Sequence, residues 1–586
     1  MLTGVSGRAG AARAGRSARE RPPRTGLARW RRWPVVAVLA GIALLFYCAQ
    51  RQARQMGVQS DGAGMELEAW AMLHGNVLLH GWYLSDVSFY TTEMPEYVLV
   101  EIVRGLNPDV VRLSAALTYT LLVVLAAAVA CGPRPAGRRT AAVRAGITVA
   151  VLLGPTRMAA PTVLNDPDHL GTAVPVLLAL LLLDRAPRRW WVPAAVAAVL
   201  GWALVGDSLV LLIGVAPLVA VCGARSFGLL ALRRAPLSAA WYELSLTAAG
   251  AAAAVGATAL SRLIRSGGGF VVNPSKTHYL VPSSAVPGNA SVTLEDFLRL
   301  FSADFFGARL NDWLLVTAIH LVFAGLVAAA LVRALRGFRQ VRYPGSVSSS
   351  GGVPGGSAVS SAELGPAGRP ASRPGPDAGD LIAQLLAVAI VINLLAYGLL
   401  YPGSVGTVRE IAPLFGLGGA LAGRMLAGPL LRRRLEPLLA AGALAAIAAL
   451  VTALVSVTAA RPASVPLARF LSAHHLRNGL AGYWNADSTT LVSDDRVIMR
   501  SVRFRRGHGL SAYLWEFNDQ WLDSQASDVN FVVATAPGPH PGSTVTSAEA
   551  IAQFGRPYQQ YHYQGYVIMV WRKNLLGELG RSYLPG

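Results

Sequence analysis

The chain has 586 residues, of which 53% are hydrophobic and 14% are charged. A soluble protein of this length carries more charge, so the composition excludes an ordinary soluble enzyme. The formal net charge is +20, but the arginines are grouped in short clusters between apolar runs, and this placement argues against nucleic acid as a partner.

The chain begins with residues 1–32, which are rich in Arg, Gly and Ala and are predicted to form a disordered cytoplasmic arm. The apolar run after this arm has no small-residue cleavage site and is followed by many more runs, so we interpret it as a retained helix. About eleven runs approach the ~20 residues that a helix needs to cross a bilayer. The predicted spans are 33–50, 109–131, 146–163, 170–184, 191–205, 208–223, 242–263, 312–335, 380–400, 411–430 and 436–459.

Basic clusters in alternate loops predict the orientation of the chain. The loops on the side of the N-terminal arm carry Arg134, Arg138 and Arg139; Arg185, Arg188 and Arg189; Arg225, Arg233 and Arg234; Arg333, Arg336 and Arg339; and Arg432, Arg433 and Arg434. Cytoplasmic loops carry an excess of Lys and Arg, so this side is predicted to be the inside. We therefore expect a multi-pass protein of the cell membrane with a cytoplasmic N-terminus and an extracytoplasmic C-terminal domain.

The spans are predicted to form two membrane blocks and one further domain. The N-terminal block is 33–335 with outer loops 51–108 and 264–311, the disordered cytoplasmic Gly/Ser/Pro linker is 336–379, the C-terminal block is 380–460, and the last domain is 461–586. In that domain, alternating apolar runs predict strands and helical patterns lie among them. The strands are predicted within 495–499, 530–534 and 566–571, and the helices near 466–475 and 547–554. The last domain is therefore predicted to be a small α/β domain.

The first outer loop contains a candidate catalytic acid, Asp61. It precedes a predicted helix in which Leu67, Trp70 and Ala71 share one apolar face, so the helix is predicted to lie along the membrane surface. The helix dipole favours a carboxylate near a helix N-terminus. The spacing alone favours Asp61 as the N-cap of this helix, and a catalytic role is the alternative.

This loop resembles that of the GT-C superfamily of membrane glycosyltransferases, which includes protein O-mannosyltransferases and bacterial aminoarabinose transferases. The shared features are a long first outer loop, an acidic residue soon after the first helix, and helices parallel to the membrane. The segment from Gly81 to Tyr97, which ends in Glu93-Met94-Pro95-Glu96-Tyr97, resembles the second stretch of the family's loop. The resemblance implies a GT-C-like membrane fold, with Asp61 as the general base and Glu93 as a substrate-binding residue.

A second candidate cluster is the turn Asn165-Asp166-Pro167-Asp168-His169 between the third and fourth spans. Ionisable groups at a membrane boundary are candidates for function. Asp166 and Asp168 could hold a divalent cation, for which oxygen ligands suggest Mg²⁺ or Mn²⁺, and His169 could contact substrate. A helix-capping turn is an equally weighted alternative, and no other cofactor is predicted.

A third candidate is Arg409, which opens the tenth span in the stretch Arg409-Glu410-Ile411-Ala412-Pro413. The stretch resembles the Arg-x-x-x-Pro element of several GT-C enzymes. A guanidinium at a helix N-terminus suits phosphate, and we favour this interpretation over a surface pairing with Glu410. Lys276, in a basic outer loop, is predicted to contact the same phosphate.

The predicted function is therefore that of an inverting glycosyltransferase at the outer membrane face. Its donor would be a polyprenyl-phosphate-linked sugar, and its acceptor a glycan, lipid or protein. Two alternatives stay open: a transporter or flippase of a lipid-linked or anionic substrate, and a non-catalytic membrane scaffold. No catalytic set is expected in 461–586, and a role of this domain in acceptor binding or in shielding the active site fits better. Its Tyr483, Trp484, Trp515 and Glu516 suit sugar stacking, but an ordinary core is the favoured interpretation.

Overall fold

The protein is described by a computed structural model. It covers residues 33–133, 137–156, 158–165, 169–186, 188–274, 280–306, 313–339, 380–400, 405–456, 464–536 and 544–583. The predicted arm 1–32 and residues 340–379 of the predicted linker lie outside these ranges. The chain divides into two compact units, Met1–Leu45 and Phe46–Gly586, and the features below belong to the second unit unless α1 is named.

Helices form most of the chain up to residue 456. They are α1 Trp33–Ala53, α2 Ser60–Leu73, α3 Met94–Arg104, α4 Asp109–Cys131, α5 Arg138–Leu152, α6 Ala173–Arg185, α7 Val192–Gly206, α8 Ala216–Phe227, α9 Leu237–Ser266, α10 Val286–Leu300, α11 Trp313–Arg339, α12 Leu381–Leu400, α13 Leu414–Arg432 and α14 Glu436–Ser456. Short π-helical segments at Pro161–Asn165, Leu211–Val215 and Gly228–Leu232 and 3₁₀ segments at Ser283–Ala285 and Val405–Ile411 adjoin them.

Within the described residues, 7 helical stretches are long and apolar enough to cross a membrane. They are Val35–Ala53, Asp109–Cys131, Leu211–Leu232, Leu237–Ser266, Leu314–Phe338, Leu381–Leu400 and Val408–Arg432. The prediction of a polytopic α-helical membrane protein is confirmed. The count of about eleven spans is not confirmed by these stretches and stays a prediction.

Glycines allow α13 to pack closely against its neighbours. A Cβ at Gly416 would lie 2.6 Å from the Leu122 side chain of α4, and one at Gly419 would lie 2.7 Å from the Leu152 side chain of α5. Small residues at such contacts let helix backbones approach closely in a membrane bundle. The position of α13 matters for the site, because the segment just before it carries Arg409.

The C-terminal domain is built around a mixed sheet. Its helices are α15 Ser464–Ala473, α16 Tyr483–Val492 and α17 Ser547–Phe554, and its strands are β3 Asn478–Ala481, β4 Ile498–Arg505, β5 Gly509–Tyr513, β7 Phe531–Thr535, β8 Gln559–Tyr563, β9 Tyr566–Val570 and β10 Gly580–Tyr583. The 7-stranded sheet has the order β10-β5-β4-β3-β7-β9-β8. The prediction of a C-terminal α/β domain is confirmed.

A second, 3-stranded sheet joins segments that are far apart in the chain. Its strands are β1 Trp82–Leu84 from the first loop, β2 Val271–Val272 from the loop after α9, and β6 Phe517–Asn518 from the C-terminal domain. Strand β1 lies in the middle, parallel to β2 and antiparallel to β6. The side-chain amide of Asn273 donates to the carbonyls of Leu84 at 2.7 Å and Leu514 at 2.6 Å, which fastens the sheet.

Candidate functional site

The small sheet brings two polar segments to the same place. Trp82 pairs with Asn518 and Tyr83 with Phe517, so the residues that leave β1 lie beside those that enter β6. The first segment is 85–89, and the second contains Trp515 and Glu516. Both segments line one pocket, together with side chains from α2 and from the loops before α6 and α13.

Asp61 lies in the first turn of α2, where the N-cap position is occupied by Gln59 and not by Asp61. The interpretation of Asp61 as the cap is therefore wrong. Its Oδ2 atom lies 3.4 Å from Nη1 of Arg409, and its Oδ1 atom accepts a hydrogen bond from the hydroxyl of Tyr483. Asp61 is therefore turned toward other side chains of the pocket and not toward its own helix N-terminus.

Helix α2 is covered by other parts of the protein, so the predicted contact of its apolar face with a membrane surface is replaced by contacts within the fold. Residues 62–69 are all buried, because α3 covers part of the helix and α16 of the C-terminal domain covers another part. Ala63, Met65 and Ala69 pack in one core with Leu491. The Ser60 hydroxyl donates to the carbonyl of Tyr483 at 2.7 Å. The apolar face was correctly found, but its partner is protein.

Arg409 belongs to the 3₁₀ segment that leads into α13. Its side chain is 39% exposed, against 15% for that of Asp61. The next residue, Glu410, places Oε2 at 3.5 Å from Nε2 of His169. The Arg409 guanidinium therefore reaches the pocket beside the candidate base, where an anionic substrate group could displace the loose contact with Asp61.

His169 is held by a buried carboxylate, Asp207. Its Nδ1 lies 2.8 Å from Oδ2 of Asp207, which also accepts a hydrogen bond from Thr172, while Oδ1 accepts from the Leu209 amide at 2.8 Å. Burial opposes ionisation of Asp207, but the charge of His169 and these hydrogen bonds outweigh it and lower its pKa. The carboxylate only accepts, so the shared proton belongs to Nδ1 and the other nitrogen, Nε2, faces Glu410.

These side chains line one pocket of about 270 Å³, measured with the space at its open mouth. Its walls are acidic, basic and aromatic: Asp61, Ser85, Asp86, Val87, Phe89, His169, Arg409, Trp515 and Glu516. The structure thus brings together Asp61, His169 and Arg409, which the sequence analysis selected from three separate segments. Convergent polar groups in a concave site are typical of a binding or active site.

The backbone is strained at several points of this pocket. Phe89, His169 and Glu516 have φ values of 47°, 59° and 50°. A positive φ is uncommon for any residue with a Cβ and is an outlier for a bulky one such as Phe. Such conformations cost about 1–3 kcal/mol each and are found preferentially at functional sites. The strain is an observation independent of charge that supports the same site.

Glu93 does not line the pocket. Its side chain is fully buried, directly before α3, and its carboxyl carbon would lie 2.7 Å from a Cβ at Gly171. Burial raises the pKa of Glu93 well above its usual range, and nearby Asp207 adds to this while His169 acts against it. Glu93 is therefore enclosed by protein and is absent from the lining of this pocket, and its role in substrate binding stays a prediction.

Three predicted site residues, Asp166, Asp168 and Lys276, lie outside the described residues. Among the residues that the structure does describe, no group of three or more His, Cys, Asp or Glu side chains is arranged to hold a metal ion. The Mg²⁺ or Mn²⁺ site at Asp166 and Asp168 therefore stays a prediction.

Asp207, Tyr483 and Glu516 were not identified as site residues from the sequence. Asp207 interrupts an apolar run between the predicted spans 191–205 and 208–223, and a lone acid there is itself a signal of function. Tyr483 and Glu516 stand among ordinary core residues of the last domain. Tyr483 contacts Asp61 across 422 residues of sequence, and Glu516 contacts Tyr483. No local pattern reports such a contact.

Comparisons with known proteins add one structural likeness. No family model matches the chain, and no curated protein matches it. Among solved structures, the chain is similar to ArnT from Cupriavidus metallidurans bound to undecaprenyl phosphate. The two are 13% identical, the match covers 79% of this chain and 75% of that one, and the TM-score is 0.38.

Proposed function

We propose that the protein is an inverting membrane glycosyltransferase of GT-C type, which moves a sugar from a polyprenyl-phosphate donor to an acceptor at the outer face of the membrane. The observation that supports this most is the meeting of a carboxylate and a guanidinium, Asp61 and Arg409, at 3.4 Å in one pocket of a polytopic membrane protein. The two residues are 348 positions apart in the chain.

In the proposed reaction Asp61 is the general base. The acceptor hydroxyl attacks the anomeric carbon, its proton passes to the Asp61 carboxylate, and the new oxygen–carbon bond forms as the sugar–phosphate bond breaks. The lipid phosphate leaves with the electron pair and needs no proton. A single base is enough for this inverting transfer.

Arg409 and His169 are proposed to hold the donor phosphate. Exchange of Arg409 from Asp61 to the phosphate would free the base and neutralise the charge that develops on the leaving group. His169 is oriented by Asp207, so its ring presents a fixed nitrogen to the same region. Lys276 is proposed as a further phosphate contact, as the sequence analysis expected.

A groove beside the site suits the lipid part of such a donor. It has a volume of about 850 Å³ with its open side included, and it is lined by Leu204, Ser208, Leu211, Ala254, Ala257, Thr258, Ser261, Arg262 and Arg265. Ser208 follows Asp207, the partner of His169, so the groove begins next to the pocket. Apolar walls with two arginines at the end of α9 match an isoprenoid chain with an anionic head.

Transport is less well supported by the distribution of charge. Helix α6 has His169 before its start and Asp184 near its end. Arg409 lies before the start of α13, and Arg424 lies within its second half. Between these residues both helices are made of apolar residues, proline and glycine only. Along these two helices a polar path therefore does not cross the bundle, whereas a transporter needs polar groups at the membrane midplane.

The test is the variant Asp61→Asn, reconstituted in proteoliposomes with synthetic polyprenyl-phosphate hexoses and pentoses and a membrane extract as acceptor. Release of polyprenyl phosphate is expected to fall about 10²–10⁴-fold, the usual contribution of a positioned base. Asp494→Asn, at an exposed side chain of the same protein, is the matched control and keeps full activity. If wild type and Asp61→Asn release polyprenyl phosphate at the same rate, Asp61 has no role in the mechanism.

The metal proposal has its own test. Asp166 and Asp168 adjoin His169 in the sequence, so a Mg²⁺ or Mn²⁺ ion between them would lie near the proposed phosphate site. If the proposal is correct, treatment with a chelator lowers the rate and either cation restores it. Full activity after chelation would remove the metal from the account.

A further inference from the structure

The hydroxyl of Tyr483 lies between two carboxyl groups. It is hydrogen bonded to Oδ1 of Asp61 and lies 2.7 Å from Oε2 of Glu516. Tyr483 begins α16, Glu516 directly precedes β6, and Asp61 belongs to α2. The C-terminal domain therefore supplies two of the three groups in this contact.

Counting protons restricts the charge of this triad. A tyrosine hydroxyl has one proton to donate and lone pairs with which to accept, whereas an ionised carboxylate can only accept. Two hydrogen bonds from one hydroxyl oxygen to two carboxyl groups therefore need a second proton. One of the two carboxyl groups must carry it.

The surroundings indicate which group is protonated. Asp61 lies at the N-terminus of α2, with Arg409 at 3.4 Å, and both features favour its ionised form. Glu516 is only 4% exposed and faces Glu68 and Asp487 as well as Asp61. Burial, followed by the repulsion from these acids, raises the pKa of Glu516 well above its usual range.

The other charged groups nearby are consistent with an ionised Asp61 and a protonated Glu516. On the pocket side Asp61 shares its surroundings with Asp86, His169 and Arg409. Glu68 and Asp487 are both buried, and desolvation raises the pKa of each well above its usual range. Arg409 is a cation in contact with the triad, and it lies on the Asp61 side.

We propose that Glu516 is held as a neutral carboxylic acid that donates to Tyr483, and that Tyr483 in turn donates to Asp61 and keeps it as the ionised base. Glu516 and Tyr483 are then positioning residues that act through Asp61. Oδ1 of Asp61 is occupied by Tyr483, so Oδ2 is the atom that faces the acceptor and Arg409. This inference rests on the proposed function, because it assigns the state of the proposed base.

The local backbone supports a fixed position for Glu516. Its φ of 50° is in the left-handed region, and its Cβ would lie 2.8 Å from a Cβ at Gly64 of α2. Glycine at position 64 therefore makes room for the Glu516 side chain. Glu516 therefore keeps its unfavourable backbone conformation because it packs against Gly64 of another helix, and not because its own local sequence prefers that conformation.

The activity test compares two substitutions of Glu516 and one of Tyr483. In Glu516→Gln the uncharged amide can still donate to Tyr483, so kcat is expected within about threefold of wild type, whereas Glu516→Ala loses the donor and is expected to lose about tenfold. Tyr483→Phe is expected to leave KM unchanged and to shift the acidic limb of the kcat–pH profile upward, because Asp61 loses a donor to its ionised form. Three results would each overturn the inference. Glu516→Gln could lose as much activity as Asp61→Asn, the Glu516→Ala and Glu516→Gln variants could be equally active, or the kcat–pH profile of Tyr483→Phe could be unshifted.

A second measurement does not depend on sugar transfer. In wild type the unfolded chain releases the Glu516 proton above its usual pKa while the folded chain retains it, so this group makes stability fall as the pH rises. Glu516→Gln does not titrate, so the fall in Tm of the full chain in detergent should be shallower than in wild type or in the Asp494→Asn control. An identical pH dependence of Tm in wild type and Glu516→Gln would contradict the protonated state of Glu516 and leave the transferase proposal standing. If instead no sugar transfer is found but the Tm slopes differ, the transferase proposal fails and the protonated state of Glu516 stands.

Discussion

His169 is fixed from behind by a carboxylate that no substrate could reach. Asp207 is 1% exposed and accepts from His169, Thr172 and the Leu209 amide. With Nδ1 committed to Asp207, the ring can neither rotate nor change its tautomer without breaking a buried hydrogen bond. The orientation of Nε2 toward Glu410 is therefore set by the folded chain and does not require a substrate to induce it.

The variant Asp207→Asn tests this orientation. An amide can offer its N–H to Nδ1 and thereby invert the tautomer of His169, with little change in volume. We expect kcat/KM for the sugar donor to fall at least about tenfold, the effect of losing one oriented hydrogen-bonding group. The measurement is steady-state transfer, with circular dichroism to show that the helices are intact, and an unchanged kcat/KM would mean that the tautomer is irrelevant.

The sequence identified the site residues whose local pattern is informative. Asp61 follows the first span, His169 lies in a polar turn between two apolar runs, and Arg409 opens a late span, so each stands out against its neighbours. Glu516 and Tyr483 do not, because their role depends on a contact across the fold. Burial of Glu93 also depends on tertiary packing, so its sequence position could not show that it does not line the pocket.

At the scale of elements, α2 is the part on which the site is assembled. It carries Asp61, it is covered by α3 and α16, and it receives Glu516 at Gly64. Glycine within a helix is about 1 kcal/mol less favourable than alanine, so its presence at position 64 needs a reason in packing. The Glu516 side chain supplies this reason.

Gly64→Ala should therefore destabilise the protein despite the better helix propensity of alanine. The new Cβ would lie 2.8 Å from the Cβ of Glu516, and overpacking of this kind typically costs about 1–3 kcal/mol. The control is Gly57→Ala, where a Cβ would meet nothing within 4 Å. The free energy of unfolding in detergent decides between them. If the Gly64 variant is as stable as the Gly57 variant, the close approach of Glu516 to α2 is not real.

A buried ion network joins three helices at the end of the bundle opposite to Arg409 along α13. The Arg424 guanidinium lies 2.8 Å from Oδ1 of Asp184 at the end of α6, and it is also paired with Asp380 at the start of α12. The side chains of Arg424 and Asp184 are 7% and 5% exposed. An unpaired charge left in such surroundings is strongly destabilising.

Arg424→Ala is therefore expected to destabilise the bundle by about 3–5 kcal/mol, since it leaves the buried Asp184 carboxylate without its cation. Arg496→Ala is the matched control, because Arg496 pairs with Asp494 at side chains that are 75% and 65% exposed. Denaturant or thermal unfolding in detergent measures both. Equal stability of the two variants would show that the Arg424 network does not hold the helices together.

The elements themselves were largely predictable, because hydrophobic periodicity is a local property. Helix Ser547–Phe554 agrees with its prediction, and strands Phe531–Thr535 and Tyr566–Val570 coincide with the predicted runs. The predicted strand at 495–499 begins only at Ile498, because Asp494 and Asp495 have positive φ values in a turn. The 3-stranded sheet was not predicted, since strands of 2 or 3 residues from distant segments leave no pattern.

At the scale of the whole molecule, the first loop and the C-terminal domain contain acids whose burial raises their pKa. Desolvation raises the pKa of Glu66, Glu68, Glu93, Asp487 and Glu516 well above the usual range. It also raises the pKa of Glu96 to about 7 and that of Glu101 to about 8. At neutral pH these acids therefore bind more protons in the folded protein than in the unfolded chain.

This excess of protons gives stability a definite dependence on pH. Between about 4.5, the usual glutamate pKa, and about 8, the unfolded chain releases protons that the folded chain retains, so stability falls as the pH rises. We expect the Tm of the full chain in detergent to be highest in the lower part of this range and to decline toward its upper end. A Tm that rises steadily across the range would contradict the protonated state of these acids.

The overall architecture followed from composition, but the way the domains meet did not. Long apolar runs predict a polytopic protein because helices must satisfy their backbone groups within lipid, and the change in composition after 460 predicts a separate domain. The direct contribution of that domain to the pocket is a tertiary fact. It was expected to bind acceptor or shield the site, and the structure places Trp515 and Glu516 in the pocket wall.

The central claim is that Asp61 and Arg409 act as one unit, and a double-mutant cycle tests it most directly. The variants Asp61→Glu, Arg409→Lys and their combination keep charge and residual activity, so kcat/KM for transfer can be measured in all of them. Contact at 3.4 Å predicts a coupling of about 1 kcal/mol or more, which is roughly a fivefold departure from multiplied single effects. If the effects of the two single substitutions on kcat/KM multiply in the double variant, Asp61 and Arg409 act independently, and the claim that they form one unit is contradicted.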